Sequence, residues 1–391
     1  MIKSFRLAIF GLILIGLVNT AAAQSSLSGA NVINTAVPFL GITPDSRAAG
    51  MGDAGVGTSP DINAQHWNLA KYAFMESDMG ISLSYSPWLR ALINDINLAY
   101  LAGYMRLDEF QTLSASLRYF TLGDIIFYDE YATLTGQQKP NEFAIDFGYT
   151  RLLSDFFSGG VAIRYVRSDL TAGQLVGGVE SRAGNTYAAD IAFYYRNEFL
   201  VNRQTNVFSA GINIQNIGDK ISYSEGVVKD FIPTNMKLGA AYTMQLDDYN
   251  SFAFTLEANK LLVPTPLNQT DDDIDGPVNP GIGVSQDISV IGGVFQSFSD
   301  APGGFREELQ EVNISAGVEY TFNQQFALRA GYFHEHENKG NRKFLTAGAG
   351  LKMNVFALDF AYLLPMVRNH PLENTLRFTL SFDVAAFNRQ N

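Results

Sequence analysis

Apolar and polar residues alternate one by one through segment after segment of this 391-residue chain. One clear segment has apolar residues at every second position, at Leu113, Ala115, Leu117 and Tyr119. Successive side chains of a β-strand point to opposite faces of the sheet, so a period of two predicts strands with one apolar face. The repeated pattern therefore predicts an all-β protein.

The alternation predicts fourteen strands. They lie at residues 78–86, 95–105, 111–120, 142–151, 159–167, 186–196, 206–216, 234–245, 251–260, 311–321, 325–334, 343–353, 355–363 and 374–385. Strands of these lengths can cross a bilayer when they are tilted. A soluble β-sandwich would show the same alternation, so the pattern alone leaves both architectures open.

The links between the predicted strands alternate in length, and this alternation decides between a transmembrane barrel and a soluble sandwich. Long links follow the third, fifth, seventh and ninth strands, at residues 121–141, 168–185, 217–233 and 261–310. Short links follow the second, fourth, eighth and tenth strands, at residues 106–111, 152–156, 246–250 and 322–324. Long loops on one side and short turns on the other are typical of outer-membrane barrels. Because lipid leaves no partner for an open sheet edge, we predict a closed transmembrane antiparallel β-barrel of about 14 strands.

The first residues predict export. Lys3 and Arg6 precede an apolar run at 7–18, and the small residues 21–23 then suit cleavage before Gln24. We therefore expect a signal peptide at 1–23, an N-terminal periplasmic or plug segment at 24–76, and the barrel at 77–391. The expected location is the bacterial outer membrane, with the long loops, of which 261–310 is the longest, facing the cell exterior.

The segment 24–76 lacks clean alternation and is rich in Gly, Ala and turn residues. Its compact, weakly charged composition favours a plug folded into the barrel over a disordered tail. The residues that we assign to a plug motif are Pro44, Asp45, Ser46, Arg47, Gly50, Met51 and Gly52.

Charge and composition exclude several classes of function. The net charge is −12, which argues against nucleic-acid binding, and the absence of Cys excludes disulfides and thiolate sites. The acidic residues concentrate in and beside the predicted loops, as Glu307, Glu308 and Glu311 do, and they are interpreted mainly as loop solvation. On the inward faces of the strands, basic and acidic residues are balanced, which predicts a cross-paired interior and a blocked or narrow lumen.

Candidate chemistry is sparse. Asp271, Asp273 and Asp275 precede Gly276 as in the start of a calcium loop, but Ile282 stands where a bidentate Glu is needed, so a solvated acidic loop is preferred. The chain has four His and no G-x-S-x-G motif, so no nucleophile and base can be recognised. We expect no enzyme activity, no cofactor and no metal.

The second half of the longest loop has apolar residues at Ile288, Ile291, Phe295 and Phe298, which predicts a helix that a Pro-Gly-Gly turn then ends. Apolar side chains in a long loop either pack over the barrel mouth or form a docking surface for another protein. The candidate partner-binding residues are Trp88, Leu89, Phe295, Phe298, Pro302, Gly303, Gly304 and Phe305.

The same residues carry a family resemblance. Residues 31–40, 44–55 (Pro-Asp-Ser-Arg-Ala-Ala-Gly-Met-Gly-Asp-Ala-Gly) and 65–68, together with 295–305, resemble the PorV family, also called LptO. The family belongs to the type IX secretion system and is related to the FadL fatty-acid transporter barrels. Leu69 departs from the family pattern, which has Pro after Trp-Asn.

The resemblance implies a FadL-like barrel with an N-terminal plug and a shuttle function. Such shuttles take cargo with a C-terminal signal domain from the SprA/Sov translocon barrel to the attachment complex of the sortase PorU. The expected partners are those proteins and outer-membrane lipid. The alternative is a FadL-type transporter of hydrophobic small molecules, and an adhesin or purely structural barrel also remains open.

Overall fold

The computed structural model describes residues 31–89, 95–128, 134–170, 175–176, 179–224, 229–265, 288–367, 371–373 and 375–384. The expected signal peptide and the acidic residues Asp271, Asp273 and Asp275 lie outside these residues. Within the described ranges, no helix is both long enough and apolar enough to cross a membrane.

Fourteen antiparallel strands form one closed barrel, as the alternation predicted. They are β1 Met79–Pro87, β2 Ile96–Arg106, β3 Gln111–Leu122, β4 Asn141–Ser154, β5 Phe157–Asp169, β6 Gly184–Val201, β7 Gln204–Gly218, β8 Asn235–Gln245, β9 Asn250–Leu261, β10 Val312–Phe322, β11 Phe326–His334, β12 Lys343–Lys352, β13 Phe356–Pro365 and β14 Leu376–Asp383. Each strand pairs with its neighbours in the chain, and β1 pairs with β14, from Gly80 opposite Asp383 to Tyr85 opposite Phe378. This last pairing closes the sheet, so each of the fourteen barrel strands is paired on both sides.

The period of two in the sequence is also the period of burial along the strands. In β1, Ser82, Ser84 and Ser86 point inward and are buried, whereas the alternate residues Leu83 and Tyr85 are exposed on the outside. The outward faces of the other strands are similarly apolar. A barrel whose outer face is apolar and whose inner face is polar is the arrangement that hydrocarbon requires.

The two rims of the barrel differ. The rim with short turns has links at 107–110, 155–156, 202–203, 246–249, 323–325 and 353–355. The opposite rim, here called the long-loop rim, has links at 88–95, 123–140, 170–183, 219–234, 262–311, 335–342 and 366–375. Two of these loops contain a short hairpin, formed by Ile125–Tyr128 with Leu134–Gln138 and by Leu175–Val176 with Val179–Glu180.

Residues 31–76, here called the N-terminal segment, pack against the inward faces of the strands. Its helical elements are the 3₁₀ turn Pro38–Gly41, α1 Ser46–Ala49, α2 Ala64–Trp67 and the 3₁₀ helix Leu69–Phe74. Inward-facing hydroxyl groups hold its backbone: Thr150 donates to the Leu69 carbonyl oxygen at 2.8 Å, and Ser158 donates to that of Ala70 at 2.6 Å. The large side chains of Trp67 and Tyr72 are almost fully buried, so this segment fills much of the interior.

Inward-facing charges pair across the strands, as the balanced signs predicted. Arg164 lies 2.5 Å from Asp146 and 2.8 Å from Asp190, measured between nitrogen and oxygen. Arg329 similarly lies 2.6 Å from both Glu319 and Asp359. An unpaired charge in so confined a space would be costly, which explains why the signs balance. Lys352, at the short-turn end of β12, is exposed instead.

Candidate functional site

Two helices of the longest loop form the candidate site. They are α3 Val290–Gln296 and α4 Phe305–Gln310, together called the loop platform. The predicted helix is present as α3, and it begins at Ser289, whose hydroxyl accepts a hydrogen bond from the Gly292 N–H at 3.1 Å. This helix ends at Gln296, before the Pro-Gly-Gly turn, and the separate helix α4 starts directly after that turn.

The turn between the two helices is held by carboxylates of α4. Gly304 has a φ of 68°, and its N–H donates to the Ala301 carbonyl oxygen at 2.9 Å. Glu307 accepts from the Gly303 N–H at 2.6 Å, and Glu308 accepts from the Ala301 N–H at 2.8 Å. A positive φ costs glycine little free energy because it has no Cβ, so Gly304 suits this sharp change of chain direction.

Buried ion pairs fasten α4 to the barrel. Lys260, at the end of β9, donates to Glu308 at 2.9 Å and to Glu311 at 2.5 Å. Lys339, from the β11–β12 loop, donates to Glu307 at 2.6 Å and to Glu311 at 2.9 Å. The Lys260, Lys339 and Glu311 side chains are less than a tenth exposed, so these contacts are shielded from solvent.

This network corrects the interpretation of the loop acids as solvated groups. The Glu311 carboxylate also accepts from the Thr265 hydroxyl at 2.6 Å. Burial alone would raise the pKa of Glu311, but the hydrogen bonds from Lys260, Thr265 and Lys339 outweigh burial and lower it. Glu311 follows Glu308 by three positions and Glu307 by four, a spacing that brings side chains to the same face of a helix. This spacing was the signal in the sequence that could have indicated the network. Their lysine partners could not be recognised from the sequence.

The platform and the turn between its helices also carry exposed apolar side chains. The exposed fractions are 73% for Phe295, 46% for Phe298, 78% for Phe305 and 58% for Leu309, and these four residues are called the apolar loop surface. Pro302, Gly303 and Gly304 are also exposed, in the turn beside Phe305. The predicted loop residues Phe295, Phe298, Pro302, Gly303, Gly304 and Phe305 are therefore all accessible, and their role in binding a partner stays a prediction.

Trp88 and Leu89 do not join this surface. Both are half-buried and pack against an inward cluster of Phe333, Phe344 and Leu363. The Arg377 guanidinium lies 5.5 Å from the Trp88 ring centroid, a cation–π distance. The prediction that these two side chains extend the exposed surface is therefore wrong, because both pack against this inward apolar cluster.

The residues assigned to the plug motif lie against β10–β14. Arg47 makes a salt bridge with Glu319 of β10 and another with Asp61, at 2.8 and 3.0 Å. The Ser46 N–H donates to the Thr379 hydroxyl of β14 at 2.9 Å. Asp45 accepts from the Ala48 N–H, at 3.0 Å, and so caps α1, which follows Pro44.

The glycines of this motif permit close backbone contact. The Gly52 N–H donates to the Thr346 hydroxyl of β12 at 2.9 Å, and the Gly50 carbonyl accepts from that hydroxyl at 3.0 Å. A Cβ on Gly52 would lie 2.6 Å from the Tyr332 carbonyl oxygen, and the φ of Gly52 is 74°. Met51, between them, is buried. The motif therefore holds the N-terminal segment against the wall.

Comparisons with known proteins assign the family. The model of the type IX secretion system protein PorV matches residues 25–268 of this chain, which is more than half of its length. No curated protein matches the sequence at a significant level.

Several solved barrels are similar at low identity. The toluene transporter TodX of Pseudomonas putida is 9% identical with a TM-score of 0.49, and the match covers 91% of this chain and 99% of that one. The toluene transporter TbuX of Ralstonia pickettii is 11% identical with a TM-score of 0.45, covering 86% and 97%. A FadL homologue of Pseudomonas aeruginosa is 10% identical with a TM-score of 0.42, covering 90% and 99%.

The family match confirms the resemblance seen in residues 31–68, whereas residues 295–305 lie outside the matched range. The family and the apolar outer face of the closed barrel together place the protein in the outer membrane. The chain belongs to the PorV family and is an outer-membrane component of the type IX secretion system.

Proposed function

We propose that this protein is a shuttle of the type IX secretion system. It binds cargo that carries a C-terminal signal domain at the large SprA/Sov translocon barrel, and it delivers this cargo to the attachment complex that contains the sortase PorU. The observation that carries the proposal is the apolar loop surface, where Phe295 and Phe305 are about three-quarters exposed on a fixed platform. In this proposal the long loops face the cell exterior.

Leaving such a surface exposed to water costs free energy. Apolar surface stabilises a complex by about 25 cal/mol per Å² when it is removed from water, and exposed clusters rimmed by polar groups often mark protein contacts. The ion pairs of Lys260 and Lys339 hold α4 in place before any partner arrives. A surface that is already ordered loses less conformational entropy on binding.

The filled interior also supports a shuttle over a transporter. Small-molecule transport requires a continuous path, and the N-terminal segment, in the proposed role of a plug, packs against inward faces around the described barrel. Glycines on the strands accommodate it: a Cβ on Gly160 would lie 2.9 Å from Leu69 Cγ, and one on Gly348 would lie 3.1 Å from Gly50 Cα. The absence of a side chain at these strand glycines therefore leaves room for the N-terminal segment.

The test is affinity purification of the tagged protein from gently solubilised outer membranes, followed by mass spectrometry. The variant Phe295→Ser/Phe305→Ser removes the two most exposed rings of the apolar loop surface. The matched control is Leu246→Ser/Tyr249→Ser, which removes side chains that are 54% and 60% exposed at the short-turn rim.

We expect the wild type and the control to recover a very large barrel protein and several proteins that share one C-terminal domain. The loop variant should insert and fold as a barrel, but the amount of these partners recovered with it should fall at least tenfold. Recovery of the same partners by the loop variant would contradict a docking function of this surface. Recovery of the barrel alone from wild-type membranes would favour the transporter.

A further inference from the structure

A cavity of about 680 Å³ opens on the outer face of the barrel near the long-loop rim. It spans β4 to β7, and α3 contributes Val290 and Ile291 to its lining. The other apolar walls include Ile145, Phe147, Ile163, Tyr187 and Ile217. This volume lies in the range of pockets that hold small ligands.

The cavity lies where β6 and β7 are irregularly paired. Ala189 pairs with Ile217, but Ile191 pairs with Ile214, so β7 has one extra residue in this interval. The bulge contains Asn216, whose φ is 58° and whose N–H donates to the Asp190 carboxylate at 2.8 Å. Bulges bend a strand and increase its local twist, which opens space beside it.

The walls of the cavity belong to the outward face. Phe147, Ile163 and Tyr187 are 59%, 66% and 69% exposed, on the side of the barrel that meets membrane hydrocarbon. Arg164 also lines the cavity, but its guanidinium is held by Asp146 and Asp190 on the inner side. Water needs two to four polar partners to occupy such a space, and this lining is mostly apolar.

We propose that the cavity binds one acyl chain of an outer-membrane lipid, and that α3 lies against the bound chain. The chain fits because the walls are hydrocarbon-like and open toward the bilayer, whereas the polar groups at the base already have partners. The bulge in β7 and the small side chain of Ala189 provide the room. This proposal does not depend on the shuttle function, since it concerns the outer wall of the barrel and the position of α3 beside it.

The experiment is native mass spectrometry of the full protein, purified in mild detergent and released from it in the spectrometer. Ala189→Phe places a ring in the cavity. The control Ala347→Phe makes the same change on β12, where Ala347 is exposed on the outward face at a similar distance from the long-loop rim. A second variant, Ile291→Asn, weakens the apolar contribution of α3. The heat-dependent shift on electrophoresis verifies that each barrel is folded.

We expect the wild type and Ala347→Phe to retain one acyl-bearing adduct. The amount of this adduct should fall at least tenfold in Ala189→Phe and several-fold in Ile291→Asn. Fragmentation then identifies the source: a glycerophospholipid or the lipid A of lipopolysaccharide supports the proposal, whereas a free fatty acid contradicts an outer-membrane lipid as the occupant. An adduct without an acyl chain, no adduct on the folded wild type, or equal retention by Ala189→Phe and Ala347→Phe would overturn it.

Discussion

The guanidinium of Arg47 donates two parallel hydrogen bonds to the carboxylate of Glu319, at 3.1 and 2.8 Å, and so joins the N-terminal segment to β10. The same carboxylate accepts from Arg329 at 2.6 Å. Paired planar groups of this kind fix both distance and orientation. The position of the N-terminal segment inside the barrel thus depends on a contact between residues 272 positions apart in the sequence.

Replacing Arg47 should loosen the N-terminal segment. We expect Arg47→Met to destabilise the folded protein by about 3 kcal/mol, because it leaves the Glu319 and Asp61 carboxylates without a shared partner in a buried setting. Urea unfolding of the purified protein in detergent measures the change. Lys139→Met is the control, since the Lys139–Asp124 pair is largely exposed and should contribute little. Equal stability of both variants would contradict a structural role for Arg47.

Glu311 should control the order of α4. In Glu311→Gln the amide replaces a carboxylate that accepts from Lys260, Thr265 and Lys339, so we expect amide exchange in 305–310 to accelerate about tenfold to a hundredfold. Hydrogen–deuterium exchange with mass spectrometry measures this directly. The matched control is Glu109→Gln at the exposed short-turn rim. Unchanged protection of α4 from amide exchange would show that the position of α4 does not depend on the negative charge of Glu311.

Acid should release α4. The pKa of Glu311 is lowered from its ordinary value of 4.5 because hydrogen bonds from lysine outweigh the effect of burial, and that of Glu307 is lowered similarly. A carboxylate with a lowered pKa in the folded state stabilises that state fully above the unfolded pKa, and its contribution disappears as the pH falls through the folded pKa.

Since the chain has no Cys, a nitroxide attached through Ser299→Cys reports on this loop alone. We expect an immobile spectrum from pH 8 down to about pH 5, followed by growing mobility as the pH falls below 4.5. The same label with Glu311→Gln should be mobile throughout. Mobility that increases on raising the pH would contradict the sign of this argument.

Gly52 should not tolerate a side chain. We expect Gly52→Ala to lower stability by about 1–2 kcal/mol from its positive φ alone, with a further cost from the approach of a Cβ to the Tyr332 backbone. Gly41→Ala is the control, because nothing lies within 4 Å of a Cβ there. The unfolding temperature of the two variants distinguishes them, and a Gly52→Ala protein as stable as Gly41→Ala would contradict the close contact.

The strand pattern was predictable because it depends on local information. Whether a residue such as Leu83 faces out or Ser84 faces in follows from a period of two and requires no knowledge of neighbours. The helix α3 was also predictable from its apolar spacing. The strands end within a few residues of their predicted bounds, and the longest difference, at the end of β6, extends a regular strand into the short-turn rim.

The candidate site was predictable only in part. Phe295 and Phe305 are apolar residues in a long loop, and the sequence indicated them as a candidate surface. The same reasoning included Trp88, which packs inward, because the sequence cannot distinguish an apolar loop residue that finds an interior from one that does not. The acids of α4 were interpreted as solvated for the same reason, since their partners Lys260 and Lys339 are distant in the chain.

The sequence by itself thus determined the barrel, the direction of each strand face and the family, since these depend on short-range periodicity and on local motifs. Tertiary structure alone decided which charges meet, as in Arg47 with Glu319 and Lys260 with Glu311, and where the outer-wall cavity lies. The physical reason is that these contacts join segments that are far apart in the chain. Arg47 and Glu319 are 272 positions apart, and Lys260 and Glu311, 51 positions apart, meet where β9 pairs with β10. No local pattern in the sequence records such contacts.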